Sequence, residues 1–283
     1  MRRYLLIFSA LVLSLGLYAQ QPRQGQPRPQ LTPEQMQARM RAMRSNPSEH
    51  HLTPDKAKAQ KSPYQGTKNY GKKIAVFGGS LSVNPESDTA KQMWADLLSA
   101  EVTTYGVGGA GFSIDQGYSM QLQVDTACVD GVFDVYVLWA STNDYNNSRE
   151  CGSWKDYTAL DGYDQEKLHT QCGGINYCIK KILEKNPTAE IYFFTGLRFF
   201  QNDSGHNPFS ETTNKTGKTF AEYILAQKDC CAYYGIPVLD QFSLQDINEL
   251  NYTEYYKNDR LHMTEKGYEK IGPVQADFLS NGR

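Results

Sequence analysis

Three short stretches of this chain carry side chains that could together break an ester. The run "KIAVFGGS" ends four apolar residues with Gly78 and Gly79 and then presents Ser80. The run "NDRLHMTE" places Asp259 three residues before His262, and "STND" at positions 141–144 offers the carboxamide of Asn143. A serine hydroxyl is a poor nucleophile at neutral pH, so it needs a base. His262 can take its proton, and Asp259 can hold the ring and stabilise the cation that forms. The oxyanion produced by attack on a carbonyl needs donors already in place: the backbone N–H of Ser80, the backbone N–H of Gly109 in the bare turn "GVGGAG", and the Asn143 amide. Glycines beside Ser80 leave room for a substrate to approach. This is the inventory of acyl transfer through a serine nucleophile.

Such distant residues can act together only if the fold gathers them. From Lys72 onward, apolar runs alternate with helical segments: "KIAVFGG", "VTTYGV", "DVYVLWAST", "AEIYFFTGL" and "IPVLDQ" read as five strands. Helices are expected over "DTAKQMWADLLSA", Gln165 to Lys185, Thr219 to Tyr234 and Glu265 to Leu279. Strands separated by helices imply parallel pairing through right-handed crossovers, hence an α/β chain forming a three-layer α/β/α sandwich with a five-stranded parallel sheet. The runs are apolar throughout, as in a sheet covered on both faces. Ligands of open parallel sheets bind beyond the carboxyl ends of the strands. Ser80, Gly109, Asn143 and the Asp259–His262 pair all follow strands, so they would face one crevice.

The blocks "GGSLS", "YGVGGAGFS", "STNDY" and "DRLHMTEKGY", in this order, resemble the four blocks of the SGNH (GDSL-like) hydrolase family, over about residues 72–281. The resemblance implies the flavodoxin-like SGNH-hydrolase fold. It also implies that Ser80 is nucleophile and oxyanion donor, Gly109 and Asn143 are oxyanion donors, His262 is the base and Asp259 its orienting acid. The chain departs from the family pattern at Gly79, where the motif has Asp, at Ser141, where the third block usually has Gly, and at Met263, where Pro commonly follows the His. No metal or organic cofactor is needed for this chemistry, and no C-x-x-C or H-x-x-x-H spacing suggests a zinc site.

Two other readings of the same glycines are weaker. "GVGGAG" matches the dinucleotide pattern G-x-G-x-x-G, but it does not follow the first strand of its unit, as nicotinamide binding would require. Gly78-Gly79-Ser80-Leu81-Ser82 lacks the last glycine of the α/β-hydrolase elbow. For substrate contacts, His206 lies in the loop after the fourth strand, and Trp154, Phe199 and Phe200 lie in the loops after the third and fourth strands. Their rings could stack on a sugar, or pack as ordinary loop residues.

Composition narrows the setting. Residues 1–19 carry Arg2 and Arg3 and then an apolar run ending in "LYA", the form of a secretory signal, too short for a comfortable transmembrane span. The alternative is an uncleaved signal anchor. Residues 20–71, rich in Gln, Pro, Arg and Lys, read as an arm or linker before a catalytic domain over 72–283. Within it, "LTPEQMQARMRAM" and "LTPDKAKAQ" each read as a helix start, with a Thr cap and a first-turn Pro. Residues 74–283 hold sixteen Lys/Arg against twenty-eight Asp/Glu, which disfavours a nucleic-acid surface. An exported chain with six cysteines, Cys128, Cys151, Cys172, Cys178, Cys230 and Cys231, is expected to pair some of them. The expected protein is therefore a periplasmic or secreted serine esterase, acting on a small-molecule ester or an acetylated carbohydrate, with O-acetyl groups leading. Lipase, thioesterase or arylesterase activity on longer acyl groups is the alternative among enzymes, and a non-catalytic envelope glycan-binding module the alternative outside them.

Overall fold

The computed structural model describes residues 51–116, 118–201, 205–243 and 246–282. The candidate signal segment and the first part of the arm, with its "LTPEQMQARMRAM" helix start, lie outside the described residues.

The strands form in register with the apolar runs: β1 (His51–Leu52), β2 (Lys73–Gly78), β3 (Glu101–Thr104), β4 (Val135–Trp139), β5 (Glu190–Phe194) and β6 (Val238–Leu239). Their order across the sheet is β1-β3-β2-β4-β5-β6. The last five pair in parallel, while β1 adds antiparallel to the edge of β3, with His51 opposite Thr103 and Leu52 opposite Val102. The sheet thus has one strand more than the sequence suggested. Two residues carry too little periodicity to be read as a strand.

Alternation along each strand divides the core between the two faces. Ile74, Val76, Val135, Val137, Trp139 and Phe194 face one side, which is covered by α3 (Ser87–Leu98) and α8 (Glu265–Asn281). Ala75, Phe77, Tyr136, Leu138 and Phe193 face the other, covered by α4 (Met120–Asp130), α6 (Gln171–Lys185) and α7 (Phe220–Tyr234). Helix ends follow their caps. Thr219 and Glu222 form a reciprocal capping box at α7, and Gly235 ends that helix at φ +68°. The helix expected from Gln165 is broken: residues 165–169 form a 3₁₀ turn, and the α-helix restarts behind Thr170, whose side chain accepts from Gly173 N–H.

The described end of the arm is built into this domain. Asp55, rather than Thr53, caps the short α1 (Lys56–Ala59) and accepts from Ala57 and Lys58 N–H, so Pro54 precedes the cap. Ser62 donates its hydroxyl to the Leu97 carbonyl, and the buried Asn69 amide donates to the Tyr192 hydroxyl and the Leu279 carbonyl, both at 2.7 Å. Polar anchors, invisible as hydrophobic pattern, thus tie residues 51–71 to the domain expected to begin at residue 72.

The expectation of cysteine pairing is not met, since all six cysteines are free. Cys172, Cys178, Cys230 and Cys231 sit in the core beneath the second sheet face as small apolar side chains, where burial pushes the Cys178 and Cys231 thiols up. Among the described residues, no helix is long and apolar enough to cross a membrane.

Candidate active site

The strand order reverses between β2 and β4, and there the candidate residues collect. Gly78 is opposite Trp139 in the β2–β4 ladder, so the two chains leave the sheet side by side, one into Gly79–Ser80 and the other into Ala140–Ser141. Ser80 opens the single turn α2 (Ser80–Val83). The turn is held from beneath. The Gln123 side chain accepts from Gly78 N–H at 2.9 Å and donates to Gly78 O at 3.0 Å. Lys91, almost fully buried, donates to the Ser82 carbonyl at 2.7 Å and pairs with Asp88 at 2.8 Å. Burial lowers the Lys91 pKa, and the nearby Asp88 carboxylate only partly opposes this.

Across the crevice, residues 256–263 form a loop before α8. His262 Nε2 lies 2.8 Å from Ser80 Oγ, and its Nδ1 lies 2.6 Å from Asp259 Oδ2. Both bonds are satisfied by the tautomer protonated at Nδ1, which leaves Nε2 free to accept the serine proton. The other carboxylate oxygen accepts from Leu261 N–H at 3.0 Å and His262 N–H at 2.9 Å. Partial burial would raise the Asp259 pKa, but these hydrogen bonds, with that from the His262 ring, outweigh it and hold the carboxyl below its ordinary value. The loop is tied to its surroundings by Phe200 N–H to Arg260 O and Gln201 Nε2 to Asp259 O, both at 2.7 Å. Lys257 pairs with Glu86 at 2.6 Å, next to the Ser80 turn.

The third side of the crevice is the turn at 107–110, closed by Ala110 N–H to Val107 O at 3.0 Å. Gly109 occupies its third position at φ +84°, where a side chain would be strained and where type II turns take glycine. Asn143 begins α5 (Asn143–Asn146), and its amide nitrogen donates to Ala110 O at 2.8 Å. Asp144, 1% exposed, accepts from Phe112 N–H at 2.7 Å and Ser113 N–H at 3.0 Å. The turn carrying Gly109 is thus fastened to the segment carrying Asn143 on both sides.

The structure therefore brings together Ser80, His262, Asp259, Gly109 and Asn143. It does not bring the aromatic candidates to the crevice surface. Phe199 is 1% exposed and packs with Tyr145 and Phe220. Phe200 is stacked on Tyr252 at 4.4 Å between ring centres, and Trp154 packs on Tyr233 in the last turn of α7, at the far end of that helix from the crevice. These rings are packing residues, because the loops that hold them need cores of their own. His206 is half-buried in the loop after β5, and its carbonyl accepts from Arg198 at 3.4 Å. Sequence reasoning missed the anchoring by Asp144 and Gln201. Neither residue carries a local signal of its distant backbone partners.

Comparison with known proteins agrees with this architecture. A model of the GDSL-like lipase/acylhydrolase family matches residues 76–270. A solved structure of a protein from Lactobacillus plantarum is 20% identical, covering 74% of this chain and 96% of its own, with a TM-score of 0.60. Another, described as "a possible lipase" from Chitinophaga pinensis, is 19% identical, covering 74% and 97%, with a TM-score of 0.53. At such identities these two likenesses establish the fold alone. No curated protein matches the sequence.

Proposed function

The chain belongs to the GDSL-like lipase/acylhydrolase family of ester hydrolases, and on that premise we propose that it is an exported serine esterase that removes small acyl groups, foremost O-acetyl groups of carbohydrates. The observation that carries the catalytic part is the unbroken relay from Asp259 through His262 to Ser80, at 2.6 and 2.8 Å. In this reading Ser80 Oγ attacks the ester carbonyl as its proton passes to His262 Nε2. The carbonyl oxygen, now negative, is met by the N–H groups of Ser80 and Gly109 and by the Asn143 amide. The tetrahedral species collapses, the alcohol leaves with the proton from His262, and an acyl group remains on Ser80. A water then gives up a proton to His262, attacks the acyl carbon and releases the acid. Asp259 stays ionised throughout and steadies the imidazolium.

The preference for a hydrated, carbohydrate-borne ester is supported by the surface next to Asn143. Asn146, one turn along the same helix face, borders an open concavity of about 380 Å³ with Tyr145, Ser148, Thr212, Thr213, Asn214 and Lys215. Its lining mixes polar and apolar surface, and the hydroxyl, amide and ammonium groups with one aromatic side chain suit a sugar. Export rests on the leader-like residues 1–19 and implies a periplasmic or extracellular site of action.

The test is turnover of p-nitrophenyl esters from acetate to octanoate, together with acetate release from acetylated xylan and pectin. The proposal expects rates to fall as the acyl chain lengthens, and acetate to be released from polysaccharide. Preference for octanoate would replace it with a lipase-like activity.

A further inference from the structure

Gly79 has no backbone reason to be glycine, since its φ of −95° is open to any residue. Its reason is space. A Cβ at this position would stand 2.8 Å from the Ala110 carbonyl oxygen, 2.8 Å from Ser141 Cβ and 2.9 Å from Asn143 Nδ2. No real Cβ tolerates three such contacts with packed atoms. The pairing of Gly78 with Trp139 sets these two chain ends abreast, so the room beside residue 79 is already taken by the side chain at 141.

That side chain is placed to act. Ser141 is 4% exposed, and its hydroxyl donates to Ala110 O at 2.6 Å while accepting from Asn143 N–H at 3.2 Å. The Asn143 amide donates to the same Ala110 oxygen at 2.8 Å, so both lone pairs of that carbonyl are engaged. One hydroxyl thereby joins the residue that follows Gly109 to the residue that carries the carboxamide. We propose that Ser141 is a positioning residue of the oxyanion hole, fixing the Gly109 and Asn143 donors relative to each other, and that Gly79 is the vacancy its side chain requires. At both positions the chain departs from the family pattern, and the two departures compensate: a side chain absent at 79 is supplied at 141.

This inference rests on the serine-esterase reading, and its test separates the two. Ser141→Ala keeps the Cβ and removes only the hydroxyl. Its kcat for p-nitrophenyl acetate is expected to fall about tenfold to a hundredfold, less than the loss of a direct oxyanion donor, with KM within about twofold. Ser141→Thr, which restores a hydroxyl, is expected to recover part of that kcat. An unchanged kcat in Ser141→Ala, or a loss confined to KM, overturns the positioning role.

The exchange is tested by Gly79→Ala, Ser141→Gly and the double variant, through the thermal midpoint. Gly79→Ala alone should lose activity and stability, and Ser141→Gly in the same chain, which clears the contact with Ser141 Cβ but also removes the positioning hydroxyl, should raise the midpoint above that of Gly79→Ala without restoring kcat. Midpoint losses that simply add would overturn the exchange. A wild type that turns over no ester defeats the esterase reading and the positioning role that depends on it. The midpoint cycle still decides the exchange, with no coupling overturning it.

Discussion

The two walls of the crevice are built by different means. The wall of Ser80, Gly109 and Asn143 stands on strand ends whose register is set by the sheet. Its supports are buried: Asp144 is 1% exposed, Ser141 4%, Gln123 0% and Lys91 2%. The wall of Asp259 and His262 is a loop whose side chains are 43% and 28% exposed, fastened by a few bonds to neighbouring loops. On the first wall, position and stability come from the same interactions, so disturbing one disturbs the other. On the second, water can replace a lost partner, so chemistry can fail while the fold survives.

Substitutions can break or sharpen that contrast. The largest effect is expected for Ser80→Ala, which removes the nucleophile and should lower kcat for p-nitrophenyl acetate by about 10⁴-fold or more without lowering the thermal midpoint. Asp259→Asn disturbs only the orientation and charge balance of the imidazole. Its kcat should fall by about 10² to 10⁴-fold, again with a midpoint close to wild type at neutral pH. Asp144→Ala should behave in the opposite way. Stranding the buried Phe112 and Ser113 N–H groups should cost about 3 kcal/mol in denaturant unfolding, and activity should fall with it. If Asp144→Ala were as stable as wild type, or Asp259→Asn much less stable, the contrast between the walls would be wrong.

Smaller effects refine it. Gln201→Ala frees the Asp259 carbonyl from its cross-loop bond and should lower kcat about threefold to tenfold with little change in stability. The smallest effect is on pH dependence. The Asp259 carboxyl is held below its ordinary value in the folded protein, so its stabilising contribution is complete above the unfolded pKa of about 3.9 and is lost as pH falls through the lower folded value. Exposure to water weakens this contribution. Differential scanning from pH 7 to pH 3 should therefore show a slight midpoint deficit in Asp259→Asn that closes at the acid end.

The same contrast decides what the sequence could reveal. The parallel strands, their helices and the crevice at their ends follow from apolar runs separated by amphipathic segments, which periodicity reports directly. Ser80, His262, Asp259, Gly109 and Asn143 were legible because each sits in a short block just after a strand, where topology alone brings them together. Supports that act through long-range polar contacts were not legible. Asn69 looks like any residue of a polar arm, yet its amide reaches Tyr192 and Leu279. Asp144 acts on the distant Phe112 and Ser113 N–H groups and Ser141 on the distant Ala110 carbonyl, contacts that leave no local pattern. Ring chemistry alone left Phe199, Phe200 and Trp154 open to sugar stacking or to loop packing, and in the fold they pack against neighbouring rings.

The central claim is that Ser80 carries the acyl group between the two halves of the reaction. It is tested most directly by mixing the protein with p-nitrophenyl acetate, quenching in acid within the first turnover, and mapping the adduct by peptide mass spectrometry. The account predicts one acetyl group on the peptide containing Ser80, formed with a stoichiometric burst of nitrophenol and absent in Ser80→Ala. Undiminished turnover by Ser80→Ala, with the acetyl group elsewhere or nowhere, would contradict it.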